Sequence, residues 1–362
     1  MTDSDRIAGG TTADLLQLVR DRIPEALVSP AQYERMLRLS ACIPAAFVSA
    51  AGAECRLAAD DGAADMTIAV NRYGFERYPE SEPPSIAASA WQSIWRFGRR
   101  WGADSDRHLN VGALFLEFDT SKDDQLPVPN VLVSLKPEPS TSALTATVSK
   151  VLDAMELRVA PGALTTLTRL AASVKEHLCV LHVGAMMARS DGGLRVCMRV
   201  TERSGVDRAV EALGCHGAAD EIRKWQQDGA ARALTGMLLS FDVLETIGER
   251  VGIECVVQPA IPWDTRGYRA LLDYLVVRGL CDPTKRDAIL RMCDGRMPRI
   301  PYATRMRMLR CLSHFKILTT PGGGRSAKVY FYAFALQGTP GIDGSTVPSQ
   351  TCPSGELHAT PA

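Results

Sequence analysis

The 362-residue sequence has no net charge, few aromatic residues and no long apolar run. Lys plus Arg and Asp plus Glu both number 41, and aromatic residues make up 6% of the chain. A balanced charge gives no bulk attraction to nucleic acid or to an anionic membrane. No apolar run reaches about 18 residues, so a membrane-spanning helix is not expected. MTDSDRIAGG at the start has no apolar core like that of a signal peptide, which favours a cytoplasmic protein.

Several motifs of common sites are also missing. The ten cysteines include no CxxC pair and no zinc-like Cys/His spacing, and most lie in apolar runs, as expected of buried thiols. PGGG at 321–324 is followed by a strand-like run without the lysine of a P-loop. SKDD at 121–124 does not have the spacing of a magnesium-binding DDxxD cluster. The sequence therefore excludes the common zinc motifs and nucleotide binding by a P-loop.

Hairpin-like stretches recur along the chain. Each has two runs of alternating apolar and polar residues around a turn rich in Gly or Asp, and they lie at 53–70, 111–136, 179–200, 237–258 and 314–335. Their spacing of roughly 60–75 residues fits one supersecondary unit per repeat.

Helical periodicity fills the intervals between the hairpins. Helices are predicted at 12–24, 31–40, 85–101, 141–156, 162–175, 205–213, 218–233, 265–279 and 283–293. The last opens on Asp282-Pro283, an N-cap followed by Pro at the first helical position.

These units predict an α/β fold of five helix-helix-hairpin repeats. Ten sequential antiparallel strands leave exposed edges unless the sheet closes, so we expect a ten-stranded antiparallel β-barrel with an outer ring of helices. The domain is predicted to span 11–336. The ends at 1–10 and 337–362 are predicted to be disordered, the latter because it is rich in Gly, Pro, Ser and Thr.

The alternation predicts which side chains face the lumen of the barrel. Apolar residues such as Leu114, Val196 and Phe315 would face the helices, and the opposite faces carry polar residues. Those proposed to act in the lumen are Glu117, Lys136, Arg195, Arg199, Glu254, His314, Lys316, Lys328, Tyr330 and Tyr332.

This set of side chains suits a diphosphate. Arg and Lys bind phosphate oxygens, and tyrosine rings flank a carbocation through their π faces. A carboxylate takes the proton that an alkylated acceptor loses. The same residues also allow other interpretations: Glu117 and Glu254 as partners of the cations, His314 as a core histidine, and the cations as exposed residues of an open sheet.

Five helix-flanked hairpins with such a lumen resemble the ABBA-type aromatic prenyltransferases, including the dimethylallyltryptophan synthase group. The nearest local matches to the Lys-x-Tyr and Arg-x-Lys-x-Tyr patterns of that family are Lys328-Val329-Tyr330, His314-Phe315-Lys316 and Arg195-Val196-Cys197-Met198-Arg199. The third match lacks the tyrosine of the full pattern.

The resemblance implies an enzyme that transfers a prenyl group from an allylic diphosphate, such as dimethylallyl diphosphate, to an aromatic or peptide acceptor in specialised metabolism. Lys136, Arg195, Arg199, Lys316 and Lys328, with His314, would bind the diphosphate, while Tyr330 and Tyr332 would shield the carbocation. Glu117 or Glu254 would accept the proton. No cofactor is expected, and magnesium would not be required. The alternative is a non-catalytic barrel that binds a peptide or a partner enzyme of a biosynthetic pathway.

Overall fold

The computed structural model describes residues 10–17, 19–59, 63–70, 89–102, 109–120, 127–136, 140–188, 193–227, 234–257, 264–294, 300–302 and 306–337. The predicted disordered ends lie outside these ranges, apart from Gly10 and Gln337, and remain a prediction. None of the described helices is long and apolar enough to cross a membrane.

Helices and strands alternate as the repeat predicts. The helices are α1 (Thr12–Gln17), α2 (Pro30–Ser40), α3 (Ser89–Gly102), α4 (Thr141–Ala154), α5 (Ala163–Ser173), α6 (Val206–Ala212), α7 (His216–Gln227), α8 (Arg266–Val277) and α9 (Pro283–Asp294). The strands are β1 (Val48–Arg56), β2 (Ala64–Val70), β3 (Val111–Phe118), β4 (Asn130–Leu135), β5 (Leu178–Ala185), β6 (Leu194–Val200), β7 (Gly236–Val243), β8 (Ile247–Val256), β9 (Ile300–Tyr302), β10 (Met306–Thr319) and β11 (Arg325–Gln337).

Local signals set several helix starts. The Ser29 side chain accepts a hydrogen bond from the Gln32 amide at the start of α2. The predicted N-cap of α9 is confirmed, because Asp282 Oδ1 accepts from the amides of Thr284 at 2.8 Å and Lys285 at 3.3 Å. The predicted helix at 12–24 was too long: α1 ends at Gln17, and only a short 3₁₀ turn at Arg20–Arg22 follows before Pro24.

The sheet closes into the predicted ten-stranded antiparallel barrel. Each of β1 to β8 pairs with its neighbours in chain order, β8 pairs with β10, and β11 pairs with both β10 and β1. The short strand β9 was not predicted; it pairs with the start of β10 and lies outside the ring of ten. The last hairpin is also longer than predicted, since β10 begins at Met306 rather than at residue 314.

The hydrophobic core lies between the barrel and the helices. The predicted outward faces are buried there, with Leu114, Val196, Ile253 and Phe315 each at 0% exposure. Burial of such side chains contributes about 1.5–3 kcal/mol each and keeps the polar alternate residues on the lumen side.

One carboxylate ties the helices to the last hairpin. Glu221 of α7 is fully buried and accepts hydrogen bonds from Trp225 Nε1 at 3.0 Å and Tyr274 Oη at 3.1 Å. Its other oxygen lies 3.3 Å from Arg278 Nη2 and 3.0 Å from Arg325 Nε. The contacts join α7, α8 and the start of β11.

We predict that Glu221→Ala lowers the free energy of unfolding by about 3–5 kcal/mol, because it leaves buried cationic and polar groups without their acceptor. Urea unfolding followed by circular dichroism measures the change. The matched control is Asp220→Ala on the same helix, whose carboxylate is exposed and pairs with Arg223. It should cost far less, and equal losses for the two variants would contradict the structural role of Glu221.

Candidate functional site

Lys328 and Tyr330 of β11 share one carboxylate in the lumen. Lys328 Nζ and Tyr330 Oη donate to the two oxygens of Glu54 on the neighbouring strand β1. The side chains of Glu54 and Lys328 are 11% and 18% exposed. Burial alone would raise the pKa of Glu54, but Lys328 and the Tyr330 hydroxyl outweigh it, so the pKa is lowered and Glu54 is ionised.

Lys316 of β10 has a carboxylate of its own. Its Nζ donates to Glu254 Oε1 at 2.9 Å, across the β10–β8 pair. Burial opposes the charge on Glu254, but Lys316 and then His314 outweigh burial and lower its pKa to about 2. Gly252 of β8 makes room for this lysine, because a methyl group there would collide with Lys316 Cε.

His314 connects these two ion pairs. Its ring stacks on Tyr330 with centroids 4.2 Å apart, and its Nε2 lies 3.8 Å from Glu254 Oε2. Lys316 and Lys328 are direct cross-strand neighbours, a placement in which like charges repel unless each is neutralised. These contacts group six side chains of β1, β8, β10 and β11 into one cluster: Glu54, Lys328, Lys316, Glu254, His314 and Tyr330.

Arg195 is also paired. Its Nε donates to Asp242 Oδ1 at 3.0 Å, across the β6–β7 pair, and the two side chains are 14% and 19% exposed. Arg199 lies further along β6 on the same face and is half-buried, and its side chain makes no hydrogen bond or ion pair to any residue of the described ranges. Lys136 lies one residue beyond β4 and is exposed, so it is at the rim of the barrel rather than on the lumen wall.

Among the described residues, Glu117 is a lumen carboxylate whose side chain has no direct partner. It is half-buried on β3, and within the described part of the chain no donor hydrogen bonds to it and no cation lies in ion-pair contact. Burial and then the negative charge of Glu54 raise its pKa, against the opposing effects of Arg195 and Lys316. Such a carboxyl holds a proton more readily than Glu254 does, so it is the better proton acceptor of the two predicted acids.

Asp65 adds a second carboxyl with a raised pKa. It lies directly opposite Glu54 in the β1–β2 register, and its Oδ1 accepts from the Thr120 amide at 3.4 Å. Burial, followed by the charge of Glu54, raises its pKa to about 6.

The lumen also has an apolar part. Tyr332 packs with Ala50 and Ala69, and Phe115 lies against this group. His182 meets Phe115 edge-to-face with centroids 5.8 Å apart, and burial lowers the pKa of its imidazole to about 4. His182 Nδ1 is buried without a hydrogen-bond partner in the described structure.

The structure thus brings most of the predicted residues together and adds others. Glu117, Arg195, Arg199, Glu254, His314, Lys316, Lys328, Tyr330 and Tyr332 all lie on lumen faces of the strands, and Lys136 does not. Sequence analysis missed Glu54, Asp65 and His182. Glu54 follows the same period-two alternation, but a single acid in the small-residue strand β1 does not stand out. His182 follows a bulge after Val180 that shifts the alternation of β5.

The described residues contain no group of three or more His, Cys, Asp or Glu side chains placed to hold a metal ion.

No protein-family model and no curated protein matches this sequence. Its structure is similar to the crystal structure of AnaPT from Neosartorya fischeri, with a TM-score of 0.50 and 11% sequence identity. The match covers 92% of this chain and 94% of AnaPT. A likeness at this identity establishes the fold: the chain is an ABBA barrel, the prenyltransferase fold that its hairpin repeat predicted.

We predict that Asp65→Asn stabilises the protein at pH 7.5 by about 2–3 kcal/mol, since a carboxyl held near pKa 6 in the folded state opposes folding once ionised. Between pH 4 and 6 the folded state binds more protons than the unfolded state, so the contribution of Asp65 to the free energy of unfolding falls as pH rises.

Urea unfolding of both proteins at several pH values tests this prediction. The difference between variant and wild type should be largest above pH 6 and should vanish below about pH 3, where Asp65 is protonated in both states. A difference independent of pH would show that the effect does not come from ionisation.

Proposed function

We propose that the lumen transfers a prenyl group from an allylic diphosphate to an aromatic or peptide acceptor. The observation that carries the proposal is one closed lumen in which the described residues place four cations, two buried tyrosines and a carboxyl that none of them contacts as a partner. The shared fold supports it, since AnaPT is an aromatic prenyltransferase.

In this reaction the bond between the prenyl carbon and the diphosphate oxygen breaks, and the acceptor atom forms a new bond to that carbon. Lys316, Lys328, Arg195 and Arg199 bind the diphosphate leaving group through charge-assisted hydrogen bonds, with Lys136 at the rim. Their positive charges neutralise the leaving group, so we propose that magnesium is not required.

Tyr330 and Tyr332 flank the allylic cation with their rings, each interaction contributing on the order of 0.5–2 kcal/mol. His314 supports Tyr330 by stacking on it. The proton released by the alkylated acceptor goes to Glu117. Glu254 is given the role of partner to Lys316, because a carboxylate with a pKa of about 2 is a weak base.

A second function is favoured by a different observation. Three of the lumen cations are already neutralised by Glu54, Glu254 and Asp242, which is what a non-catalytic barrel requires. Such a barrel would bind a peptide or a partner enzyme of a biosynthetic pathway. It predicts no response to allylic diphosphates.

We predict that dimethylallyl or geranyl diphosphate raises the melting temperature in the presence of EDTA, because a ligand at 100 times its dissociation constant stabilises by about 2.7 kcal/mol. The shift should disappear in Lys316→Met/Glu254→Gln, which removes a cation and its partner together and leaves no buried charge unpaired. No shift for folded wild-type protein would instead support the binding barrel.

We predict that Glu117→Gln lowers the rate of acceptor prenylation by about 10²–10⁴-fold, the usual contribution of a general base. Dimethylallyl diphosphate should still raise the melting temperature of the variant as it does for wild type. Mass spectrometry of indole-containing acceptors incubated with the donor measures the rate. A variant as fast as wild type would remove Glu117 from the mechanism.

A further inference from the structure

Glu54 holds two of the groups proposed to receive the diphosphate. Lys328 and Tyr330 both donate to it, one to each oxygen of the carboxylate. Both donors belong to the stretch that most resembles the diphosphate-binding patterns of the family. A diphosphate that accepted hydrogen bonds from Lys328 and Tyr330 would have to displace the Glu54 carboxylate.

Glu254 is the carboxylate partner of the other lysine, Lys316. It accepts from Lys316 Nζ at 2.9 Å, with both side chains at most 10% exposed. Glu54 and Glu254 therefore neutralise the two adjacent lysines. A ligand with several negative charges meets two ionised carboxylates there as well as two ammonium groups.

Glu117 provides the contrast. It lies in the same lumen, yet no cation of the described structure is in ion-pair contact with it. Removing its charge would change the field in the lumen without releasing any lysine.

We infer that Glu54 is an internal competitor of the diphosphate and sets the affinity of the lumen for it. The inference rests on the proposed diphosphate site and adds a residue with a defined direction of effect. A carboxylate that only supported the site would weaken anion binding when removed. A competitor strengthens it, because the released Lys328 gains a partner when the anion binds.

Isothermal titration of inorganic pyrophosphate in EDTA buffer tests this inference without depending on prenyl transfer. We expect Glu54→Gln to bind pyrophosphate at least about tenfold more tightly than wild type, a change of about 1.4 kcal/mol. The glutamine keeps the size of the side chain and an acceptor for Tyr330. Glu54→Gln/Lys328→Met should lose the gain.

Glu117→Gln is the matched control, since it removes a lumen carboxyl without releasing a lysine. Its gain in affinity for pyrophosphate should be much smaller than that of Glu54→Gln, because only the field of the lumen changes. An equal gain in Glu117→Gln would assign the effect to the overall charge of the lumen and overturn the competition.

The remaining outcomes are also decisive. Binding by Glu54→Gln that is equal to or weaker than that of wild type overturns the inference, whether or not wild type transfers a prenyl group. Binding seen in Glu54→Gln alone supports it even if prenyl transfer is absent. If Glu54→Gln does not fold by circular dichroism, Glu254→Gln, which releases Lys316, is titrated with the same expected gain.

Discussion

Closure of the sheet is the constraint on which the rest of the structure depends. β11 pairs with β1 on one side and with β10 on the other, so the last hairpin joins the first and the ten described strands of the ring leave no long edge open. Closure also separates the lumen faces from bulk water, and buried charges then require partners at contact distance. The carboxylates of Glu54, Glu254 and Asp242 meet that requirement.

The register of the strands decides which acid meets which cation. Glu254 lies directly opposite Lys316 on one side, and Lys328 lies opposite Lys316 on the other. Glu54 lies directly opposite Tyr330. Lys328 lies two residues before Tyr330 on the same face of β11, so one carboxylate accepts hydrogen bonds from both residues. A shift of one residue in any of these pairs would move the side chains to the outer face, so the pattern of ion pairs depends on the hydrophobic face behind it.

The sequence predicted the closed barrel, five hairpins and the lumen positions of nine site residues, because period-two alternation and turn residues are local signals. It left open that Glu254 pairs with a cation, but it did not predict that Glu54 pairs with Lys328. Glu54 and Lys328 are separated by 274 residues, so their contact follows from closure and not from any local pattern. The bulge between Leu312 and His314 in the middle of β10, and the extra strand β9 that pairs with the start of β10, were likewise not predicted.

The charges of the lumen couple its two proposed tasks, which are binding the diphosphate and accepting the proton of the acceptor. The pKa of Glu117 is raised by burial and by Glu54, and it is held down by Arg195 and Lys316. A diphosphate bound to those cations would add negative charge and screen their effect, so it would raise the proton affinity of Glu117 further. In the proposed mechanism, donor binding would then make Glu117 a stronger base at the step where the acceptor loses its proton. The proposed catalysis therefore requires that the diphosphate bind cations that are ion-paired in the structure, because that binding is the event that would raise the pKa of Glu117.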